Sequence, residues 1–258
     1  MKSKIEMPLY LQKKMQTYLQ AHNVTNGIQP LHFINIMQTH HGVIEMENLD
    51  HDDQLDLRNP LIVILGDSVT GAHFEAPDLM HGIIAQEPAD GYAEKFLQMI
   101  HDRFPVTTPS LINSGIAGDN IHGMNKRLER DVISHDPDLV ILNASLNWSD
   151  RRGTLAYYEA EYDAVIQRIL HETEADLVLM TANTKVLDGG DSSFLERTEY
   201  IRSEAEKYQL PLVDIYRLFE KTININELPS AMSNGENHPT PFAHTMMALA
   251  LCQLFNPR

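Results

Sequence analysis

The stretch that most restricts the possible folds is Leu61–Leu65, an unbroken apolar run followed by Gly66, Asp67 and Ser68. Such a run, preceded by a proline, is typical of a strand that is buried on both faces of a sheet. Open sheets of this kind carry their chemistry at the carboxyl ends of the strands, which is where Ser68 would lie. The residues after Ser68 are compatible with a helix, and if one begins there its free N–H groups would favour negative charge beside the serine oxygen. Gly-Asp-Ser is also an ordinary turn and N-cap tripeptide, and this alternative stays open.

Downstream of this run, apolar segments alternate with amphipathic segments of helical period. Strands are expected at 110–113, 138–143, 176–181 and 210–215, and helices at 91–104, 120–133, 155–171, 194–208 and 241–255. Strands that alternate with helices in this way form a parallel, doubly wound sheet with helices on both faces. The sequence therefore predicts an α/β fold with a five-stranded parallel sheet.

Residues 1–58 are interpreted as an N-terminal accessory segment, and residues 59–258 as the main domain. The accessory segment is expected to hold a helix over 8–21 and a β-hairpin formed by strands at 31–37 and 43–49. One cluster of histidines and aspartates in this segment lacks the spacing of metal ligands and is interpreted as part of a solvated turn rather than a metal site. The cluster consists of His40, His41, His51, Asp52 and Asp53.

The composition limits the partners of the chain. Acidic residues outnumber basic ones by 36 to 20, a net charge of −16 that disfavours nucleic acid and anionic membranes as partners. The one cysteine, Cys252, lies in an apolar pattern and is expected to be a small core residue. Neither a signal-peptide pattern nor an apolar run of membrane-spanning length is present, so a cytoplasmic location is expected.

Three further loops carry residue types that acyl-transfer chemistry requires. The glycines around Gly118, after the second strand, let the backbone approach a ligand closely. Asn147, after the third strand, could offer an amide donor to a developing oxyanion. His238 lies in a loop before the last helix that Pro239 and Pro241 stiffen, which suits a general base.

Together these residues resemble the SGNH, or GDSL-type, hydrolases over residues 59–258. Gly66–Ser68, Gly118, Asn147 and His238 occur in the order and setting of that family. The resemblance implies a flavodoxin-like three-layer α/β/α fold and a serine esterase without a metal or organic cofactor. It also implies that Ser68 is the nucleophile and His238 its base. The backbone N–H groups of Ser68 and Gly118 and the side-chain amide of Asn147 would form the oxyanion hole.

The partner of the histidine departs from the family pattern. The family usually has aspartate three residues before the histidine, where this chain has Gly235. Asn234, Glu236 or a backbone carbonyl could take over the orientation of the imidazole of His238.

The block around Asn147 also departs from the family. Ser145 stands where glycine is common, and Trp148 stands where aspartate is common. Trp148 is interpreted either as a wall of the substrate site or as a packed aromatic side chain.

The function expected from the resemblance is the hydrolysis of short acyl esters, with O-acetyl groups on a saccharide as one candidate substrate. Two alternatives stay open at this point. One is a lysophospholipase or thioesterase on the same fold. The other is a degenerate hydrolase that binds an acylated or carbohydrate ligand without turnover.

Overall fold

A computed structural model describes residues 6–39, 58–75, 84–149, 151–186 and 193–255. In these residues the strands are β1 (Leu61–Gly66), β2 (His73–Glu75), β3 (Ile84–Gln86), β4 (Ser110–Gly115), β5 (Leu139–Leu142), β6 (Asp176–Met180) and β7 (Leu212–Val213). Five of them form one sheet in the order β4-β1-β5-β6-β7, and every pair in it is parallel. The predicted five-stranded parallel sheet is confirmed. A separate antiparallel pair, β2 with β3, was not predicted.

Helices lie between successive strands of the sheet, as the sequence predicts, but the three described helices at 31–39, 215–222 and 228–231 were not predicted. The described helices are α1 (Leu9–Ala21), α2 (Leu31–Thr39), α3 (Tyr92–Arg103), α4 (Ile121–Asp131), α5 (Leu155–Glu172), α6 (Phe194–Lys207), α7 (Ile215–Thr222), α8 (Leu228–Ala231) and α9 (Pro241–Cys252). Helices α1, α3, α7 and α9 cover one face of the sheet, and α4, α5 and α6 cover the other. The result is the expected three-layer α/β/α fold.

Strand β1 shows why its apolar run has no polar interruption. Ile62 and Ile64 belong to the core beneath α3 and α9, whereas Val63 and Leu65 belong to the core beneath α4 and α5. Successive side chains of a strand point to opposite faces, so both sets are buried when helices cover both faces. Burial of each such side chain stabilises the fold by roughly 1.5–3 kcal/mol.

The predicted strand at 31–37 is wrong, because these residues form helix α2. Its apolar residues fit both a strand and a helix, and packing decides between them. Phe33 and Met37, one helical turn apart, are both buried in the core that contains α1. The Asp176 carboxylate accepts from the backbone N–H of Phe33 at 2.8 Å, which satisfies one free donor of the first turn.

The other half of the predicted hairpin, residues 43–49, lies outside the described residues, as does the histidine and aspartate cluster of residues 40–53. The described part of the N-terminal segment packs directly on the main domain. The backbone N–H of Val24 donates to the Gln253 side chain at 2.9 Å, and Thr25 forms a bridge with Val213. The boundary between residues 58 and 59 stays a prediction.

None of the helices in the described ranges has both the length and the apolar character that crossing a membrane requires. Cys252 packs with its sulfur 3.7 Å from the sulfur of Met99, and burial raises the pKa of its thiol to about 12. A thiol with such a pKa is a poor nucleophile at neutral pH, in agreement with a packing role.

Candidate active site

Ser68 lies in a tight turn directly after β1. The backbone N–H of Gly71 donates to the carbonyl of Asp67 at 2.9 Å, and that of His73 donates to the carbonyl of Ser68 at 3.0 Å. Of the two possibilities that the sequence left open after Ser68, a helix and a turn, the structure has the turn, and the chain then continues into β2. A helix dipole therefore does not assist the serine here, and oxyanion donors have to be individual N–H groups of the serine turn and of neighbouring loops.

Close backbone packing holds this serine turn against the end of β4. A Cβ atom on Gly115 would lie 2.2 Å from the backbone nitrogen of Gly71, closer than real atoms approach. The Asn113 side chain braces the same contact: it donates to the carbonyl of Thr70 at 2.9 Å and accepts from the N–H of Gly115 at 3.1 Å. The turn is thus positioned by the strand beside it.

His238 lies in the loop before α9, where one side chain organises the backbone. The Asn234 Oδ1 atom accepts from the N–H groups of Glu236, Asn237 and His238 at 3.0, 2.9 and 3.0 Å. The imidazole Nε2 of His238 consequently lies 2.9 Å from the hydroxyl oxygen of Ser68, although 170 residues separate the two in sequence. The two side chains are only 4% and 8% exposed.

Asn234 and Glu236, the two side chains proposed to orient the imidazole, have different surroundings. Asn234 holds the backbone of the histidine loop, and its amide donates to Asn237 Oδ1 at 2.7 Å. Glu236 is exposed, and its backbone carbonyl accepts from the N–H of Val186 at 2.9 Å. Asn234 therefore positions His238 through the main chain, and the identity of an orienting group stays a prediction.

The two loops expected to supply oxyanion donors follow β4 and β5, the strands that flank β1. Gly118 has φ +72°, and none of the described atoms lies within 4 Å of where its Cβ would be, so the backbone conformation favours glycine there. The Asn147 side-chain nitrogen is buried and has no hydrogen-bond partner among the described residues. A buried donor without a partner is costly unless a ligand accepts its hydrogen bond.

Buried ionisable groups lie directly beneath the site. Burial raises the pKa of Asp67 from 3.8 to about 6, and the carboxylate accepts from the N–H of Val69 at 2.9 Å. Burial lowers the pKa of His244 to about 3, so this histidine is neutral, and its Nδ1 accepts from the N–H of Tyr92 at 3.1 Å. An uncharged imidazole that accepts a backbone hydrogen bond has a structural role.

The structure adds two residues to the site that the sequence analysis missed. Arg127 donates to the carbonyl of Gly66 at 3.0 Å and to the Asp119 carboxylate at 2.7 Å, which connects the end of β1 to the Gly118 loop. The ring of His73 lies edge-on to that of His238, with 6.4 Å between the ring centroids. No pattern of neighbouring residues indicates either role, because Gly66 and His238, the residues that they contact, are far away in the sequence.

Throughout the described ranges, no three His, Cys, Asp or Glu side chains are grouped so that they could hold a metal ion.

The surroundings of Trp148 are those of a packed aromatic side chain, one of the two interpretations that the sequence left open. Its ring is 3% exposed, lies edge-on to Tyr158 with the centroids 5.4 Å apart, and donates from Nε1 to the carbonyl of Gly153 at 3.3 Å. The ring thereby fixes the turn that follows Asn147.

This fold and this serine–histidine pair define a class of ester hydrolases. The family model described as GDSL-like lipase/acylhydrolase matches residues 64–246. That range is more than half of the chain, so the chain belongs to this family and is a carboxylic ester hydrolase.

The similar proteins include esterases from bacteria. An acetylxylan esterase of Geobacillus stearothermophilus is 24% identical over an alignment of 203 residues that covers 73% of this chain and 90% of that protein. The structure of a variant of an acetyl xylan esterase from the same organism superposes with a TM-score of 0.60 at 19% identity, over 76% of this chain and 94% of that one. A lipase/acylhydrolase from Enterococcus faecalis gives a TM-score of 0.61 at 19% identity, over 75% and 94% of the two chains. At these identities the structures establish the fold.

Proposed function

We propose that this protein is a serine esterase that removes short acyl groups from small-molecule or saccharide esters through an acyl-enzyme intermediate. The observation that carries the proposal is the 2.9 Å contact between Ser68 Oγ and His238 Nε2 at the carboxyl end of the central strand. This distance is within the range over which a general base takes the proton of a nucleophile.

The first half of the reaction forms the acyl-enzyme. Ser68 Oγ attacks the ester carbonyl carbon as its proton passes to Nε2 of His238. The tetrahedral intermediate then expels the alcohol, which takes that proton from Nε2. In the second half, a water molecule gives a proton to Nε2 and attacks the acyl carbon. The intermediate collapses, the carboxylic acid leaves, and the proton returns to Ser68 Oγ.

The developing oxyanion requires donors that are already in place. The N–H groups of Ser68 and Gly118 and the side-chain amide of Asn147 serve this purpose in our proposal. The buried, unpartnered Nδ2 of Asn147, as described above, supports its part in it. Removal of one such donor typically lowers the rate by about 10²–10³-fold.

Two observations support a short acyl group. Ser68 and His238 are nearly buried, and the ring of His73 lies beside the imidazole with 6.4 Å between the centroids, which favours a small acyl group. In addition, a curated relative is an acetylxylan esterase, which acts on an acetylated saccharide. Acetyl esters of saccharides are therefore the substrates that we propose first.

The direct test compares the parent with Ser68→Ala on p-nitrophenyl acetate, with Ser134→Ala, an exposed serine, as the control. We expect kcat/KM to fall by about 10⁴-fold or more in Ser68→Ala and to stay unchanged in the control. A fluorophosphonate probe should label the parent at Ser68. Equal turnover by the parent and Ser68→Ala would refute the assignment of the nucleophile.

A series of p-nitrophenyl esters from acetyl to decanoyl tests the acyl preference. We expect kcat/KM to decrease as the acyl chain lengthens, and acetylated xylo-oligosaccharides to release acetate. Rates that rise steadily towards the long chains would instead favour the lysophospholipase or thioesterase alternative.

A further inference from the structure

The guanidinium of Arg152 joins the two loops that carry the proposed oxyanion donors. Its Nη1 atom donates to the carbonyl of Asn147 at 2.9 Å and to the carbonyl of Gly118 at 3.1 Å. These two acceptors follow different strands and lie 29 residues apart in the sequence. One nitrogen atom therefore bridges the two loops.

The loop around Gly118 needs such a contact. Residues 116–118 are exposed, and Gly118 has the positive φ that only glycine adopts without strain. The flanking residues are held, since the N–H of Ile116 donates to Gly66 and the Asp119 carboxylate binds Arg127. The carbonyl of Gly118 itself accepts from Arg152.

Arg152 is itself held in position by the buried part of its turn. Its backbone N–H donates to the carbonyl of Ser149 at 2.8 Å, and the next residue, Gly153, accepts from the buried ring of Trp148 at 3.3 Å. The guanidinium is a charged donor, and hydrogen bonds from charged donors are roughly twice as strong as neutral ones. An arginine on an anchored turn is thus suited to hold two exposed carbonyl groups.

We propose that Arg152 is a positioning residue that preorganises the oxyanion hole by holding Gly118 and Asn147 at a set separation. This inference rests on the proposed function, because it takes the N–H of Gly118 and the amide of Asn147 as donors to the oxyanion. Preorganised donors lower the barrier because they need not reorient as charge develops. Loss of Arg152 therefore weakens transition-state stabilisation and leaves ground-state binding of the ester nearly intact.

The test uses the full chain and p-nitrophenyl acetate, with Arg152→Met, Arg152→Lys and Ser68→Ala. Arg151→Met is the matched control, because Arg151 is the exposed neighbour. For Arg152→Met we expect kcat to fall about 10-fold, less than the loss from removal of a donor itself, with KM within about 2-fold. The Ki of a boronic acid that mimics the tetrahedral intermediate should rise by a similar factor. Arg152→Lys should recover part of kcat, since an ammonium can also donate to both carbonyls, and Arg151→Met should match the parent.

A double-mutant cycle separates positioning from a general effect on the fold. If Arg152 acts through Asn147, Arg152→Met should lower kcat less in the Asn147→Ala background than in the parent. Hydrogen exchange of peptides that cover 115–119 should be faster in Arg152→Met than in Arg151→Met, with equal melting temperatures.

The outcomes distinguish this inference from the proposed function. An unchanged kcat in Arg152→Met, a loss confined to KM, or fully additive effects with Asn147→Ala would overturn the role of Arg152. If Ser68→Ala is inactive in the same panel, the serine esterase proposal stands in each of those cases. Full activity of Ser68→Ala would overturn the proposed function, and with it the inference about Arg152.

Discussion

The serine turn and the histidine loop bring their side chains to within 2.9 Å of each other, yet they are built in different ways. The serine turn is buried and rests on the backbone of β4, with no room for a side chain at Gly115. The histidine loop is half-exposed, and the Asn234 side chain holds it by accepting three backbone hydrogen bonds.

The difference shows how each loop can vary. A turn that depends on close backbone packing tolerates almost no added volume, because the neighbouring atoms are themselves backbone. A loop that depends on polar contacts tolerates added volume but not the loss of its acceptor. Substitutions at Gly115, Asn234 and Gly235 test this contrast, and one at Asp67 tests the buried carboxyl group of the serine turn.

The largest effect is expected for Gly115→Ala. The added methyl group would overlap the backbone of Gly71 and push the serine turn away from β4. We expect a loss of about 3 kcal/mol in the free energy of unfolding and a marked loss of esterase activity. Urea denaturation and turnover of p-nitrophenyl acetate measure the two effects. Wild-type stability in this variant would show that the turn does not depend on this contact.

A pH-dependent effect is expected for Asp67→Asn. Since the pKa of Asp67 is raised from 3.8 to about 6 in the folded protein, the folded state holds the proton more tightly than the unfolded state. Stability contributed by this group is therefore present below about pH 4 and is lost as pH rises to about 6. The stability of Asp67→Asn relative to the parent should increase by about 2 kcal/mol between pH 4 and pH 8.

Urea titrations at several pH values measure this change, with Asp102→Asn as an exposed control. Parallel stability profiles of the parent and Asp67→Asn would contradict a raised pKa.

In the histidine loop, Asn234→Ala removes the acceptor of three N–H groups. We expect a loss of about 1–2 kcal/mol in the free energy of unfolding, as for the loss of a capping side chain, and a lower kcat. Asn234→Asp retains an acceptor and should recover most of the stability. The proposed role of Asn234 requires that kcat falls more than the affinity for substrate, so a change confined to KM would refute it.

The smallest effect is expected for Gly235→Ala in the same loop. Gly235 has φ +75°, but none of the described atoms lies within 4 Å of its missing Cβ. Only the backbone conformation opposes alanine, so the cost should be about 1 kcal/mol, well below that of Gly115→Ala. Thermal unfolding of the two variants side by side compares the loops directly, and equal losses would remove the distinction between them.

The sequence alone determined the strands of the parallel sheet and the place of Ser68 at the end of the first. These features are local, because an apolar run or a helical period can be recognised from consecutive residues. The resemblance to a known family added the expectation that four loops, in a set order along the chain, form the site. It did not reveal the bracing side chains Asn113 and Arg127, which contact backbone far away in the sequence.

The tertiary structure alone decided three matters. Residues 31–39 form a helix because Phe33 and Met37 pack on the same core, although their apolar pattern fits a strand equally well. The turn after Ser68 packs against β4 at Gly115, where the absence of a side chain lets the two backbones approach closely. His238 reaches Ser68, and Arg152 joins the loops of Gly118 and Asn147, through contacts between distant segments. A local pattern specifies how a segment can fold, whereas only the packed sheet specifies which segments meet.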